Sequence, residues 1–329
     1  MLKGWRLWLG LVISLGFLYL ALRGQDLGQV RRALAAADYR YLLPAIVIYF
    51  AGVWVRALRW RHLLAPVRPL TARALFPVVV IGYMANDILP WRLGEFVRAY
   101  ALREREHVPA SASLATIAVE RIFDGLAMLC FLLVASVFIP LDARLRRIAL
   151  VAALIFGAAL GVLALIVISG RWRARLLALV ARLLPAPLAD RLAALVEDFA
   201  GGLNILRSGR HLAAVAGFSL LAWGLEGTMY LTVAPAFGLP LSPAGAMLTM
   251  AVANLATLVP STPGYIGVFE TGVVLVTNGV LGFDREVALS YAVVLHAALY
   301  FPVTLWGLYY WTRDRFSLGA VRSLQEESV

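Results

Sequence analysis

Charged side chains stand inside an apolar stretch of this sequence, "ATIAVERIFDGLAML", which contains Glu120, Arg121 and Asp124. On a helix, Glu120 and Asp124 share one face, and Arg121 lies three positions before Asp124. Ionisable groups within a membrane span are costly and usually face a bundle interior or a polar pathway. Two interpretations are open: a pathway for a polar ligand, or a structural ion cluster that holds helices together.

Other candidate residues point to the same chemistry, recognition of a polar or phosphate-bearing group. The planar guanidinium of arginine suits phosphate, and Arg92 and Arg98 flank a carboxylate in "PWRLGEFVRA". These arginines could instead be plain cytoplasmic anchors. Glu226, the isolated acid of "LLAWGLEGTMY", could be a hydrogen-bonding residue in helix packing, and His296 of "YAVVLHAALYFP" could be an ordinary packing residue. We take as candidate head-group or cavity residues Arg92, Glu95, Arg98, Glu120, Arg121, Asp124, Glu226, Glu270 and His296.

The composition of the chain requires a membrane. Hydrophobic residues make up 62% of the 329 positions, and charged residues only 15%; soluble domains carry about 25% charge. The single cysteine, Cys130, excludes an internal disulfide framework. The net charge of +11 fits cytoplasmic loops rich in arginine, and contact with anionic lipid is compatible with it.

Apolar runs predict full spans at about 5–22, 41–60, 112–139, 148–168, 211–237 and 286–311. The segment 171–210 mixes arginines with leucines at helical spacing, which predicts cytoplasmic amphipathic helices on the membrane surface. Most basic residues then fall on one side of the membrane, with Arg121 alone inside a span. Both termini, including the tail 312–329, are therefore predicted to be cytoplasmic.

Two further regions, 74–104 and 244–279, begin as apolar stretches, break at proline and glycine, and then resume. Freed backbone groups are tolerated in a membrane only inside protein or along a wet cavity, and free N–H groups at such a break can hold an anion. We predict two re-entrant hairpins; a proline kink in an ordinary span is the alternative. The predicted tip residues, among which the two asparagines could satisfy freed backbone groups, are Asn86, Pro90, Gly94, Asn254, Pro260, Pro263, Gly264 and Gly267.

The predicted topology relates the two regions by inversion, because one hairpin enters from the cytoplasm and the other from outside. "PWRLGEF" and "PGYIGVF" share proline, glycine and phenylalanine in register and both have a branched apolar residue at a fourth of their seven positions, at the two breaks. Inverted repeats with broken helices are a transporter architecture. We therefore predict one all-α transmembrane domain over 1–329, with about six full spans and inverted repeats at 41–139 and 211–311.

Three blocks of the chain resemble the transmembrane flippase domain of lysylphosphatidylglycerol synthases and its stand-alone relatives. They are "NDILPWRLGEFVRAYAL", "ERIFDG" and "PSTPGYIGVFE", and the likeness covers about 5–312. The resemblance implies a helical bundle with two re-entrant hairpins facing a cavity, and movement of a polar-headed lipid between leaflets. The family usually has a second glycine where this chain has Tyr265, which implies a less open tip. Only a short segment follows Trp311, so we do not carry over the synthase domain's aminoacyl transfer.

Three functions are open. The leading one is a lipid translocase, not an enzyme, without cofactor or metal, acting on a membrane phospholipid or a polyprenyl-phosphate-linked lipid in the plasma membrane. The second is a scaffold or partner subunit of an envelope-lipid synthesis enzyme; a homodimer is also open, and nucleic acid is not an expected partner. The third is an intramembrane enzyme whose Glu120 and Asp124 hold Mg²⁺ on a diphosphate. The sequence contains no DDxxD, HExxH or P-loop motif for it.

Overall fold

The structure is a computed structural model that describes residues 16, 26–89, 93–168, 208–258, 262–314 and 316. Within these ranges the chain is helical and forms no strand. The α-helices are α1 (Leu27–Ala36), α2 (Leu42–Leu64), α3 (Ala72–Ile88), α4 (Gly94–Glu106), α5 (Ala110–Phe138), α6 (Ala143–Ile168), α7 (Gly209–Val233), α8 (Pro243–Ala256), α9 (Val268–Thr277) and α10 (Arg285–Arg313).

Five helical stretches among the described residues are long and apolar enough to cross a membrane. They confirm five of the predicted spans and run over Tyr39–Leu64, Ala110–Phe138, Ala143–Val162, Gly209–Phe237 and Arg285–Arg313. The predicted span 5–22 and nearly all of the predicted amphipathic segment 171–210 lie outside the described residues, as does most of the tail 312–329. The chain is therefore a multi-pass helical membrane protein.

Helices α2 and α7 form the central pair of the bundle. Gly52 near the start of α2 lies close to Leu225 of α7, and Arg59 further along α2 contacts the earlier residue Ser219 of α7. The two helices are therefore antiparallel. Gly52 allows this close approach, because a Cβ atom there would lie 3.4 Å from the carbonyl oxygen of Ala222. Around this pair, α3 packs on α10 and α5 packs on α8.

Two helical segments are interrupted where proline and glycine predicted breaks. Helix α3 ends at Ile88 and α4 begins at Gly94, and α8 ends at Ala256 and α9 begins at Val268. We call the intervening residues 89–93 the first break and 257–267 the second break; residues 90–92 and 259–261 lie outside the described residues. Helices α3, α4, α8 and α9 have between 10 and 17 residues, which gives lengths of about 15 to 26 Å. Each is shorter than the roughly 30 Å of hydrocarbon that a full span must cross.

Close backbone contact explains the glycine that opens α4. A Cβ atom at Gly94 would collide with the carbonyl oxygen of Gly82 and with the side chain of Asn86, both on α3. Asn86 uses this proximity, because its Oδ1 accepts a hydrogen bond of 2.9 Å from the Gly94 N–H across the first break. The amide thus satisfies one backbone group that the interruption frees. The neighbouring Pro90 and Arg92 lie outside the described residues.

The second break contains a short 3₁₀ turn, Pro263–Tyr265, and three residues with positive φ. Gly264 (φ 70°) and Gly267 (φ 87°) adopt the conformation that glycine favours. Tyr265, at φ 58°, adopts it as well, although a side chain costs about 1 kcal/mol there. This observation gives a backbone reason for glycine at that position in the family that the chain resembles. Pro260 is not among the described residues.

Helix α6 lies at the periphery and packs mainly on α5, where Phe156 covers Gly125. Its other faces expose large apolar side chains, including Leu150, Leu154 and Ile155. Such a surface suits contact with lipid tails. The charged site consequently lies away from α6, between the central pair and the two interrupted segments.

Replacing Tyr265 tests the backbone cost at the second break. Both Tyr265→Ala and Tyr265→Gly remove the ring, but only glycine relieves the positive φ. We expect Tyr265→Gly to be more stable than Tyr265→Ala by about 1 kcal/mol, measured by denaturation in detergent. Equal stability of the two variants would show that this residue does not keep its left-handed conformation.

Candidate functional site

Five charged side chains from three helices form a buried ion cluster: Arg59, Arg98, Glu120, Arg121 and Asp124. Glu120 accepts from Arg98 Nη1 at 2.7 Å and from Arg121 Nη2 at 2.7 Å, and Arg59 Nη2 lies 3.1 Å from its Oε1. Asp124 accepts from Arg59 Nη1 at 2.5 Å and lies 2.9 Å from Arg121 Nη2. Three guanidinium groups thus share two carboxylates within the cluster, and the carboxylate of Glu95 lies 3.9 Å from Arg121 Nε at its edge.

Each member reaches the cluster because of its position on a helix. Glu120 and Asp124 are one turn apart on the same face of α5, as their spacing predicted, whereas Arg59 comes from α2 and Arg98 from α4. The Arg98 guanidinium lies 3.6 Å from the ring centre of Trp60. Arg98 passes over Gly82, where a Cβ atom would lie 3.1 Å from its side chain. Aromatic stacking and a glycine gap therefore hold this arginine in place.

A second ion pair joins the two helices of the central pair. Arg56 Nη2 on α2 donates to Glu226 Oε2 on α7 at 2.7 Å, and both side chains are buried. Asn254 Nδ2 on α8 donates to the other oxygen of Glu226 at 3.2 Å. Trp223 connects this pair to the ion cluster, because its Nε1 donates to Asp124 at 2.7 Å while its ring lies 4.6 Å from the Arg56 guanidinium.

A cavity of about 130 Å³ lies beside these groups, and its wall includes the last turn of α3 and residues of the second break. We call it the central cavity; its volume is sufficient for several water molecules. Its walls combine aromatic rings, charged groups and amides. The lining residues are Tyr49, Arg56, Tyr83, Asn86, Asp87, Arg121, Trp223, Glu226, Asn254, Thr257, Tyr265, Phe269, His296, Leu299, Tyr300 and Val303.

Arg121 is the member of the ion cluster that borders the central cavity. Its side chain is 28% exposed, whereas the other four members are at most 9% exposed. The cluster holds this guanidinium by its contacts to Glu120 and Asp124, and the remaining surface faces the cavity. Arg121 can therefore present positive charge to a bound anion.

Asp87 is a cavity residue at the end of α3, directly before the first break. Its Oδ2 accepts a hydrogen bond of 2.7 Å from the hydroxyl of Thr304 on α10. Its carbonyl oxygen accepts from the hydroxyl of Tyr300 at 3.4 Å. A Cβ atom at Gly264 would lie 3.4 Å from the same carbonyl, so the second break contacts the end of α3 next to the first break.

Glu270 and His296 form a separate pair next to the central cavity. Glu270 Oε2 accepts from the Gly267 N–H at 2.7 Å, which caps the start of α9. Its Oε1 lies 2.6 Å from His296 Nδ1. Only the histidine of this pair lines the cavity, so the carboxylate orients both the second break and the imidazole.

The predicted site residues thus divide into two groups. Arg121, Glu226, His296, Asn86 and Asn254 line the cavity. Arg98, Glu120, Asp124 and Glu270 lie behind its wall, and Glu95 contacts Arg121 at 3.9 Å. Arg92 lies outside the described residues.

Asn86 and Asn254 have different partners despite their equivalent positions before the breaks. Asn86 accepts from a freed N–H beyond its break, as the sequence predicted. Asn254 instead holds Glu226 and donates to the Met250 carbonyl oxygen of its own helix. The second asparagine therefore stabilises an ion pair.

Sequence reasoning missed Arg56, Arg59 and Asp87. The prediction that Arg121 alone lies within a span is wrong, because Arg56 and Arg59 are at most 2% exposed on α2. Their signal was available: they are three apart in the apolar run "VWVRALRW", so they share one helical face. Asp87 stood beside Asn86 at the break, and that adjacency could have identified it.

This arrangement suits the binding of an anion next to apolar groups. Arginine, amide and tyrosine groups supply donors, and the aromatic rings provide an apolar boundary. Among the described residues, no group of three histidine, cysteine or carboxylate side chains could hold a metal ion. The donors that line the cavity could bind an anion through hydrogen bonds and guanidinium charge.

Glu120 tests the energetics of the ion cluster. Glu120→Gln removes the carboxylate that binds Arg98 and leaves this buried guanidinium without a described acidic partner, so we expect a loss of about 3–5 kcal/mol in stability. Glu95→Gln is the matched control, because its contact is longer and more exposed, and we expect a loss of about 1 kcal/mol or less. Denaturation in detergent measures both; equal losses would contradict the central role of Glu120.

Comparison with known proteins places this architecture in a family. The family model for the lysylphosphatidylglycerol synthase transmembrane region matches residues 7–307. No solved structure matches the chain significantly.

The chain is similar to proteins of three archaea. Glycosyltransferase AglD of Haloferax volcanii is 26% identical over 88% of this chain, which spans only 51% of the length of AglD. A UPF0104 membrane protein of Methanothermobacter thermautotrophicus is 28% identical over 85% of each chain. Another, from Methanocaldococcus jannaschii, is 22% identical over 68% of this chain and 90% of its own length. Since the family model covers nearly the whole chain, this protein belongs to the lysylphosphatidylglycerol synthase transmembrane region family.

Proposed function

We propose that the protein is a lipid translocase that moves a lipid with a phosphate-containing head group between leaflets without altering it. The observation that carries the proposal is the central cavity, which is bordered by the end of α3, by the second break and by the partly exposed guanidinium of Arg121. A phosphate in hydrocarbon loses its hydrogen bonds with water, which is costly. Charge-assisted hydrogen bonds in the cavity would replace part of that hydration.

The packing of the helices supports an inverted-repeat architecture for this function. Helices α2 to α5 have counterparts in α7 to α10, and each half contains one interrupted segment. The pairing is reciprocal: α3 of the first half packs on α10, and α8 of the second half packs on α5. We infer that both interrupted segments are re-entrant, entering from opposite sides, and that the two halves rock about α2 and α7 to expose the cavity alternately.

The proposed location is the plasma membrane with both termini in the cytoplasm. The bias of basic residues supports this orientation, and the buried positions of Arg56 and Arg59 remove two charges from it without reversing it. In this orientation α3 and α4 would open to the cytoplasm, and α8 and α9 to the outside. A head group would pass from one break to the other through the central cavity.

The likeness to a protein named a glycosyltransferase favours a second class of cargo, a sugar-bearing lipid phosphate. Phospholipids and polyprenyl-phosphate-linked lipids share the phosphate that Arg121 would bind. Reconstituted vesicles carrying either fluorescent phosphatidylglycerol or a fluorescent polyprenyl phosphate separate the two classes. Mass spectrometry of the recovered lipid tests whether it remains chemically unchanged; an altered lipid would support an enzyme instead.

Arg121→Gln tests the proposed translocation. The variant leaves Glu120 and Asp124 with two cluster arginines, Arg59 and Arg98, so we expect it to fold. Loss of charge-assisted hydrogen bonds to the phosphate should slow lipid movement by roughly tenfold or more. The assay measures the exposure of a fluorescent lipid to a membrane-impermeant quencher in vesicles.

Arg40→Gln is the control, because Arg40 is an exposed arginine paired with Asp38 at the end of a span. It should move lipid at the wild-type rate. An unchanged rate in folded Arg121→Gln would remove this guanidinium from the transport path. Absence of movement by the wild-type protein with either lipid would contradict the translocase proposal itself.

A further inference from the structure

Asp87 differs from the other acidic residues in and around the central cavity. Glu120, Asp124 and Glu226 contact arginine, and Glu270 contacts histidine and a helix N-terminal N–H. Among the described residues, the carboxylate of Asp87 has a neutral hydroxyl, that of Thr304, as its hydrogen-bond partner. No described arginine lies within ion-pair distance of it.

The position of Asp87 also opposes a negative charge. Helix α3 ends at the next residue, Ile88, and the C-terminal end of a helix carries partial negative charge. The residue is half-buried and lines the cavity, so water there can exchange protons with it. The environment of Asp87 therefore favours binding of a proton to its carboxylate.

The basic side chains that line the cavity with Asp87 contact other acidic residues; they are Arg56, Arg121 and His296. Arg56 is neutralised by Glu226, and His296 is held by Glu270. The groups that share the cavity from α3 itself and from the elements packed on it are Tyr83, Tyr49, Arg56, Tyr265, His296 and Tyr300. Unlike these, Asp87 is a carboxylate without a described cationic partner.

We infer that Asp87 is a proton-binding site that couples lipid movement to a proton gradient, an inference that rests on the proposed function. Its carboxylate and an anionic head group would share one cavity of about 130 Å³. Two negative charges at that separation repel each other, so binding of the anion favours protonated Asp87. Linkage is reciprocal, and the proton therefore raises the affinity for the anion, by about tenfold for a partly screened pair.

Protonation of Asp87 would change the contacts that this residue makes with neighbouring helical segments. Its side chain holds Thr304 on α10, while its carbonyl contacts Tyr300 and lies against Gly264 of the second break. Protonation weakens the charge-assisted hydrogen bond between Asp87 and Thr304, beside the contact of Asp87 with Gly264 of the second break. The proton binds to a carboxylate oxygen on one side of the membrane and leaves from the same oxygen on the other; no covalent bond of the lipid changes.

Proteoliposomes with an imposed pH gradient test the coupling. The full-length protein is reconstituted in vesicles of phosphatidylcholine and phosphatidylglycerol with a trace of fluorescent phosphatidylglycerol. With equal pH on both sides the probe should equilibrate between leaflets. A roughly tenfold proton gradient should then enrich the probe in the leaflet facing the alkaline side, by up to about tenfold for one proton per lipid.

Asp87→Asn imitates the protonated carboxyl group permanently. We expect this variant to equilibrate the probe at equal pH, at a rate that no longer depends on pH, and to give no enrichment under the gradient. Asp87→Glu keeps a titratable group and should retain the enrichment. Asp38→Asn is the matched control, because Asp38 is paired with Arg40 outside the cavity, and it should respond as the wild type does.

The outcomes separate the coupling from the proposed function. Wild-type equilibration without enrichment under the pH gradient would overturn the coupling and leave the translocase intact, as would enrichment driven by a sodium gradient alone. Persistent enrichment in Asp87→Asn would also overturn it. If Asp87→Asn does not fold, loss of enrichment in a folded Asp87→Glu variant that still equilibrates lipid would contradict the assignment. Wild-type protein that never equilibrates either lipid would overturn both proposals.

Discussion

The structure depends on the neutralisation of buried arginines. A guanidinium cannot lose its charge in a protein, so each arginine taken into the bundle needs a carboxylate nearby. Helix α5 supplies two of these carboxylates, Glu120 and Asp124, and thereby attaches α2 and α4 to itself. Helix α7 supplies the third, Glu226, for Arg56. The ion pairs therefore determine which helices are neighbours, whereas apolar packing alone would allow many arrangements.

This constraint also produces a polar interior that a membrane bundle would otherwise lack. Arg121 holds Glu120 and Asp124, has Glu95 as a more distant third carboxylate, and keeps part of its guanidinium exposed to the cavity. The breaks add backbone and amide groups at the same depth, and Asn86 and Glu270 satisfy part of them. The same set of charges therefore serves stability and the proposed ligand recognition. The buried ion pairs behind the cavity wall stabilise the bundle, and Arg121 on the wall would bind the ligand.

Sequence patterns predicted five of the spans and the helix ends near both proline- and glycine-rich regions, and they singled out acidic residues that lie in or near the cavity. Those features depend on local properties: hydrophobic length, proline and glycine, and the rarity of charge in a span. The partners could not be predicted, because which arginine meets which carboxylate depends on helix packing over long separations. Arg56 and Arg59 were missed for this reason: near the predicted end of a span, an arginine is equally compatible with an aqueous anchor and a buried ion pair. The backbone angle of Tyr265 likewise becomes visible only in three dimensions, although the family comparison had marked the position as unusual.

The pairing of Arg56 with Glu226 has a consequence for the synthesis of the protein and its insertion into the membrane. These residues are 170 positions apart, whereas Arg59 finds Asp124 after 65. During synthesis the first half can therefore close its own ion cluster, while Arg56 waits on α2 until α7 emerges from the ribosome. An arginine without a partner is costly inside a bilayer, so we expect α2 to be held less firmly in the membrane during this interval. Assembly of the first half is therefore incomplete until α7 of the second half supplies Glu226 as the partner of Arg56.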